Sequence, residues 1–364
     1  MSMIEFDIIP SNNAAPAAER DAILADPRFG SAFTDHMVTI RWTAGNGWHG
    51  GKVDQLVPFH IHPACAILHY AQEIFEGMKA YRGPGGDPLL FRPLDNARRF
   101  ECSARRMAMP TLPPATFLSA IEHLVDIDRD WIPGGEGSLY LRPFMFADDV
   151  FLGVRPASSY TFCVIASPAG AYFRDGLKPI TVWVSDHYSR AGKGGTGAAK
   201  CGGNYAGSLA AQAEASAHGC DQVVFLDAAE NRLVEELGGM NIFFVMADGT
   251  IVTPALGTIL AGITRDSVIR LAGDLGHRTE ERPYRFDEWQ ADAASGRLAE
   301  VFVCGTAATI VPLGAVRHAS GQFSIAGGGT GAVTLRLREA LVAIQRGTGP
   351  DPYGWRHVVT ARGA

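Results

Sequence analysis

The sequence predicts an α+β protein of two domains, on three observations. At 364 residues the chain is long enough for two domains of ordinary size with well-buried cores. The first 165 residues mix strand-like and helix-like runs in one unit, whereas strand-like runs alternate with helical ones from about residue 180 onward. Between them, in Ser167-Pro-Ala-Gly-Ala-Tyr-Phe173, proline and glycine interrupt both periods. The expected division is an N-terminal α/β domain over residues 1–166, a linker over 167–178 and a C-terminal domain over 179–364.

Residues 10–28, with Pro10, Pro16 and a run of alanines, read as a loose arm or short helix. Met37–Trp42 alternates as a strand does, and the turn-rich Thr43–Gly51 follows. His62 to Phe75 has helical spacing at Ile67, Leu68 and Ala71. Met78–Tyr81 and Leu89–Phe91 read as a hairpin across Gly83-Pro-Gly-Gly86. Asn96–Met107 is expected as a basic helix and Phe117–Asp130 as an amphipathic one. Ser138–Pro143 and Ser159–Ile165 are strand-like. The second half offers strands at 180–185, 222–226, 241–246 and 301–303, with helices at 204–218, 264–274 and 331–345.

Composition narrows the function. An apolar content of 47% with 19% charged residues describes a soluble globular chain, and a formal net charge of −6 without a dense basic run argues against a nucleic-acid surface. The N-terminal residues lack the basic-then-apolar layout of a secretion signal, and no apolar run approaches a membrane span of roughly 20 residues. Six scattered cysteines, with no Cys-x-x-Cys pair, suggest neither a disulfide framework nor a metal site. A cytoplasmic enzyme without membrane or nucleic-acid partners fits these features.

The chemistry centres on Arg190-Ala-Gly-Lys-Gly-Gly-Thr-Gly-Ala-Ala-Lys200-Cys-Gly-Gly-Asn204-Tyr205. Glycines let backbone wrap closely around a bulky ligand, and Asn204 is placed to cap a following helix. A lysine held in a tight, desolvated loop loses its charge readily, and a neutral amine attacks an aldehyde. Lys200 therefore suits a pyridoxal phosphate Schiff base, although a lysine in a glycine-rich loop is, on that stretch alone, more often a solvated surface residue. Gly192-x-Gly194-x-x-Gly197 also matches a dinucleotide fingerprint, but seven residues separate it from the strand end at Val184, where that fingerprint needs its glycine.

Such a cofactor needs more than a lysine: an acid for its pyridine nitrogen, a phosphate cradle and a support for its phenolic oxygen. Glu236, in Val234-Glu-Glu-Leu-Gly-Gly-Met-Asn241, precedes a buried-looking strand and can supply the acid. Leu260-Ala-Gly262-Ile263-Thr264-Arg265 places a glycine, backbone N–H groups and a hydroxyl at a helix start, an anion site. Gly305-Thr306-Ala307-Ala308 is a second small-residue turn able to hold phosphate or a carboxylate. Tyr205 is the candidate for the phenolic oxygen.

These segments resemble the branched-chain amino acid aminotransferases. Lys200–Gln212, Phe75-Glu-Gly-Met-Lys-Ala-Tyr81, Ser138-Leu-Tyr-Leu-Arg-Pro143, Glu235–Asn241, Leu260–Arg265 and Gly305–Ala308 stand in the family's order across roughly residues 29 to 346. The resemblance implies a fold-type IV enzyme using pyridoxal 5'-phosphate, with a smaller N-terminal α/β domain and a larger C-terminal pseudo-barrel domain. By motif, Lys200 is the Schiff-base lysine and proton shuttle, Glu236 pairs with the pyridine nitrogen and Tyr205 supports the phenolic oxygen. Arg99 clamps the phosphate with Ile263, Thr264 and Thr306 beside Gly262, and Leu260 lies against the ring. Phe29, Phe75, Tyr140, Tyr172, Thr306 and Ala307 line the substrate pocket. Tyr70, Leu152 and Val154 reach in from a second subunit, so a homodimer is implied.

Arg142 adds a dual-substrate argument. An aliphatic and aromatic pocket suits Leu, Ile or Val, but glutamate brings a second carboxylate that cannot be buried unpaired. Arg142, flanked by Tyr140, can meet that charge; a structural ion pair is the alternative. Two departures stand out: Ala308 and Val311 occupy positions where some relatives carry a redox-sensitive Cys-x-x-Cys, and Gly239 stands where some have threonine. The activity implied is transamination of branched-chain L-amino acids with 2-oxoglutarate. The competing readings are a D-amino acid transaminase or aminodeoxychorismate-type lyase on the same fold, an NAD-dependent dehydrogenase, and a non-enzymatic binding protein.

Overall fold

The computed structural model describes residues 4–170 and 176–361. Its elements run β1 (Phe6–Ile8), α1 (Ala17–Ala25), β2 (His36–Thr43), β3 (Gly47–Gln55), α2 (Ala66–Tyr70), β4 (Glu73–Phe75), β5 (Met78–Arg82), β6 (Pro88–Phe91), α3 (Pro93–Arg106), α4 (Pro114–Ile127), β7 (Ser138–Ala147) and β8 (Ser159–Ala169). Then come β9 (Ile180–Ser185), α5 (Gly202–Ala206), α6 (Leu209–Ala217), β10 (Gln222–Leu226), β11 (Val234–Leu237), β12 (Asn241–Met246), β13 (Ile251–Thr253) and α7 (Ile263–Asp274). The chain ends with β14 (Thr279–Glu281), α8 (Phe286–Ser295), β15 (Leu298–Gly305), β16 (Thr309–His318), β17 (Gly321–Ser324), α9 (Ala332–Arg346) and β18 (Arg356–Val358).

Two compact units result. The first comprises Met1–Arg174, Ala199–Gly202 and Ala343–Ala364, the second Asp175–Ala198 and Gly203–Val342. This division corrects the expected boundaries of 1–166, 167–178 and 179–364. Strand β8 continues through Ala169 because Ser167, Pro168 and Ala169 still pair with Tyr140, Leu139 and Ser138 of β7, so the expected linker begins inside a strand. The lysine segment and the C-terminal segment return to the first unit, the latter by β18 pairing with β6, and that unit holds more of the chain.

Each unit is built on one nine-stranded sheet. In the first the order is β1-β3-β2-β8-β7-β5-β6-β18, with β4 paired to β7. Alternation along β7 sets its two faces: Leu139, Leu141, Met145 and Ala147 point into the core, leaving Tyr140, Arg142, Phe144 and Phe146 on the other side. Helix α4 covers the core face because Phe117, Ala120, Ile121, Leu124 and Val125 recur at helical spacing and are all buried. Phe117 of α4, Phe100 of α3 and Phe162 of β8 meet one another with centroids 5.4 to 5.8 Å apart. The second sheet runs β11-β10-β9-β16-β15-β12-β13-β14, with β17 on β16.

Several local expectations change. The turn-rich stretch after Trp42 is a hairpin whose second strand, β3, was masked by its glycines; only Gly47, at φ 67°, and Gly50, at φ 64°, need them for conformation. The helical spacing of His62–Phe75 yields only the five residues of α2, ended by Ala71 in the left-handed region, before β4 begins. The helix expected over 204–218 is broken at Gly207 and Ser208 into α5 and α6. Asn204 is not an N-cap: it lies inside α5, buried, and its amide is bonded to the Thr196 hydroxyl and carbonyl at 2.7 and 2.9 Å. Glu236 does precede the buried strand β12 as expected, but it also lies within a short strand of its own, β11. Among the described residues no helix is long and apolar enough to cross a membrane.

Candidate active site

In the first unit the side chains of interest gather around Lys200. Its segment is docked on β4 and α3: the Phe75 N–H donates to the Lys200 carbonyl at 2.9 Å, and the Lys200 N–H donates to Ser103 Oγ at 3.0 Å. The Gly202 N–H donates to the Glu73 carboxylate. These bonds aim the lysine over the Phe75 ring, with Nζ 4.9 Å from its centroid. Burial holds the ammonium down to about pKa 8, aided by the charge of Arg99 and opposed by Glu76 and Tyr140. At neutral to mildly alkaline pH this amine is therefore available as nucleophile and base.

Glu76 was not foreseen as a site residue. It is fully buried and receives Arg99 in a fork, Nε to Oε1 and Nη2 to Oε2 at 2.8 Å each, with Asn96 Nδ2 at 2.8 Å on Oε2. Burial opposes its ionisation, but the charge and hydrogen bonds of Arg99, the charge of Lys200 and Asn96 together hold it below the usual carboxylate range. Arg99, expected as a phosphate clamp, is thus fixed in place by an anion. A charged residue framed by Ile74, Phe75, Gly77 and Met78 was the only sequence signal for it.

Arg142 and Tyr140, two apart on β7, share a face as the alternation requires. Arg142 Nη2 donates to the Tyr140 hydroxyl at 2.9 Å, and its guanidinium lies 4.7 Å from the Phe75 centroid and 5.3 Å from that of Tyr140. Phe29 meets Tyr140 edge-on at 4.9 Å. Gly77 permits this arrangement, since a Cβ there would overlap the Tyr140 hydroxyl. The structure therefore brings Phe29, Phe75, Tyr140, Arg142 and Lys200 into one aromatic and cationic cluster. Tyr70 stacks on Phe151 and donates to the Leu152 carbonyl, while Leu152 and Val154 are 66% and 89% exposed. Tyr172 lies outside the described residues.

In the second unit Glu236 is a buried carboxylate held on both oxygens. Its Oε1 is paired with Arg190 and accepts the Leu260 N–H at 3.0 Å, and its Oε2 accepts Asn241 Nδ2 at 3.1 Å. Arg190 and Glu236 are both buried, and Arg190 also donates to the Gly197 carbonyl at 2.8 Å. Neither Arg190 nor Asn241 was foreseen in this role. Asn241 also donates to the Leu260 carbonyl at 3.1 Å, tying the turn to the acid. Gly262 precedes α7, and a Cβ there would strike Asn241 Oδ1, so the Asn241 amide packs directly against this glycine. Thr264, in the first turn, is buried, and the helix N-terminus favours an anion. Thr306 and Ala307 lie in the turn of the β15–β16 hairpin. A Cβ on Gly239 would sit 3.8 Å from Tyr205 Cε1, so this glycine lies beside that ring. The Gly192–Gly197 stretch packs against Thr258 and leads into no helix before Gly202, so it lacks the frame of a dinucleotide site.

The family profile for class IV amino-transferases matches residues 73–316, a span holding the lysine, the two carboxylates and both turns. The chain belongs to the class IV aminotransferases. A probable branched-chain-amino-acid aminotransferase of Streptomyces coelicolor is 56% identical over 362 residues, covering 99% of this chain and 100% of that protein. A branched-chain-amino-acid aminotransferase of Mycobacterium tuberculosis is 53% identical over 358 residues, 97% of each chain. Among solved structures, a T.th. branched-chain amino acid aminotransferase with pyridoxamine 5'-phosphate has a TM-score of 0.73 at 31% identity, covering 88% of this chain and 98% of that one. The corresponding Escherichia coli aminotransferase gives 0.70 at 28%, covering 88% and 99%. This class IV aminotransferase accordingly has the α+β architecture of fold-type IV.

Proposed function

We propose that this aminotransferase exchanges amino groups between branched-chain L-amino acids and 2-oxoglutarate, with pyridoxal 5'-phosphate as its cofactor. The observation that carries the reading is the buried Lys200 amine, held at about pKa 8 in an aromatic cradle within a chain 56% identical to a protein named for that activity. The donor set fits the cofactor: a desolvated amine, a pinned buried carboxylate and a helix N-terminus preceded by a glycine that admits no side chain. Bound, the cofactor supplies an aldehyde for covalent capture and a protonated ring that draws electrons from the substrate's α-carbon.

The protein's own residues do the rest. Lys200 Nζ takes the substrate's α-proton and returns it, first as base and then as acid, which a pKa near the working pH favours. Glu236, held in place by Arg190, Asn241 and the Leu260 N–H, would hold a proton on the pyridine nitrogen. Tyr205 would support the phenolic oxygen, and Leu260 would lie against the ring. By the family resemblance, Arg99, oriented by Glu76, is a phosphate ligand, and Gly262, Ile263, Thr264 and Thr306 would supply the other donors.

The family resemblance assigns the substrate side chain to Phe29, Phe75, Tyr140, Tyr172, Thr306 and Ala307. Arg142 meets the second carboxylate of glutamate or 2-oxoglutarate. The exposed Leu152 and Val154, beside Tyr70, support a homodimer in which these residues complete the partner's pocket. Six free cysteines support a reducing, cytoplasmic setting.

The test is the visible spectrum of purified protein with added cofactor. The expected result is an absorbance band that L-leucine bleaches and 2-oxoglutarate restores, and that is missing from Lys200→Ala. A band that ignores L-leucine but responds to D-alanine would overturn the substrate class.

A further inference from the structure

Glu73 opens β4 on the same face as Phe75, since Ile74 between them points into the core. That face carries the groups already described: the Phe75 ring lies under both Lys200 Nζ, at 4.9 Å, and the Arg142 guanidinium, at 4.7 Å. The Glu73 carboxylate accepts the Gly202 N–H two residues beyond the lysine, and a Cβ on Gly202 would collide with it. On the other side, Arg142 Nη2 is bonded to Tyr140, while its buried Nε has no hydrogen-bond partner among the described residues. Burial pushes the Glu73 carboxyl up, and the Gly202 N–H and the charge of Arg142 pull against it.

We propose that Glu73 is a specificity-determining residue: its carboxylate is the counter-charge of Arg142, favouring an apolar substrate side chain there and opposing a second substrate carboxylate. The physical reason is charge balance. A guanidinium facing a leucine side chain in a desolvated pocket needs an anion nearby, and Glu73 supplies one from the protein. When glutamate or 2-oxoglutarate enters, two carboxylates compete for one guanidinium. The same residue clasps the lysine segment through Gly202, so substrate choice and lysine placement share one side chain. The inference rests on the reading of Arg142 as the receptor for that second carboxylate.

The experiment measures dissociation constants of glutarate and 4-methylvalerate from the holoenzyme, by the change each causes in visible absorbance. Four proteins are compared: wild type, Glu73→Gln, Arg142→Met and the double variant. Glutamine keeps an acceptor for the Gly202 N–H and removes the charge. It is expected to tighten glutarate relative to 4-methylvalerate about three- to tenfold, the size of one screened charge across a partly buried site. In the Arg142→Met background the same change should move that ratio less than about twofold, because the coupling partner is gone. Glu73→Leu, which also lacks the charge, should shift the ratio in the same direction whatever it does to the lysine segment. A ratio unmoved by both substitutions, or moved equally with and without Arg142, overturns the proposal. A ratio that Arg142→Met itself does not lower overturns the reading of Arg142.

Discussion

Replacing Glu76 with glutamine tests the buried scaffold beneath the reacting lysine. Glu76 has no solvent exposure, and the Arg99 side chain is 11% exposed. Three side-chain hydrogen bonds of 2.8 Å converge on the carboxylate, two from Arg99 and one from Asn96. Glutamine keeps the shape but turns one acceptor into an NH₂ group facing donors, leaving a buried guanidinium without its anion. Breaking a buried pair in this way costs about 3–5 kcal/mol. Urea unfolding of the holoenzyme at fixed cofactor concentration should show that loss at an unchanged slope.

The pH dependence follows in sign. The Glu76 carboxyl titrates below its ordinary value of 4.5 in the fold, so the advantage of wild type over Glu76→Gln is complete above that value. It disappears as the pH falls through the lower, folded-state value. Glu76 also pushes the Lys200 pKa upward, so its loss should move the acid limb of Lys200 amine labelling, measured on the cofactor-free protein, to lower pH. A destabilisation under about 1 kcal/mol together with an unmoved acid limb would refute the reasoning.

Arg142→Met should weaken the L-glutamate half-reaction about ten- to hundredfold more than the L-leucine one in single-turnover kcat/KM, the loss of a charge-assisted hydrogen bond. Equal losses would make Arg142 structural. Gly262→Ala should lower cofactor affinity, because the new Cβ meets Asn241 Oδ1 and disturbs the amide that holds Glu236. Gly262 has an ordinary φ of −68°, so the effect is steric; overpacking of about 1–3 kcal/mol corresponds to roughly five- to hundredfold in equilibrium dialysis. An affinity within about twofold of wild type would count against it. On the homodimer proposed above, Val154→Asp should shift sedimentation toward monomer by about tenfold or more, by placing charge in an apolar contact; an unchanged oligomer at micromolar concentration would remove Val154 from the proposed interface.

What the sequence determined by itself was local and periodic. The hairpin at 78–91, the strands at 180–185, 222–226 and 241–246, and helices α3, α4, α7 and α9 follow from alternation, helical spacing and turn residues. Segment order also carried the family, and with it the lysine and the cofactor. Glycine-rich β3 and the short strands β1, β4 and β18 were hidden, because three to nine residues with small or mixed side chains show too little period to read. The charge pairs were hidden for a different reason. Glu76 and Arg99 are 23 residues apart, and the bond from Lys200 to Ser103 spans 97. Nothing in the spacing of either partner records the other; only the sheet register and the helix above it bring them within reach. The tertiary structure alone therefore decided that Lys200 belongs to the first unit, that Arg99 rests on Glu76, and that Glu236 is held by Arg190. Pairing of buried charges depends on desolvation and distance, and both are properties of the packed chain.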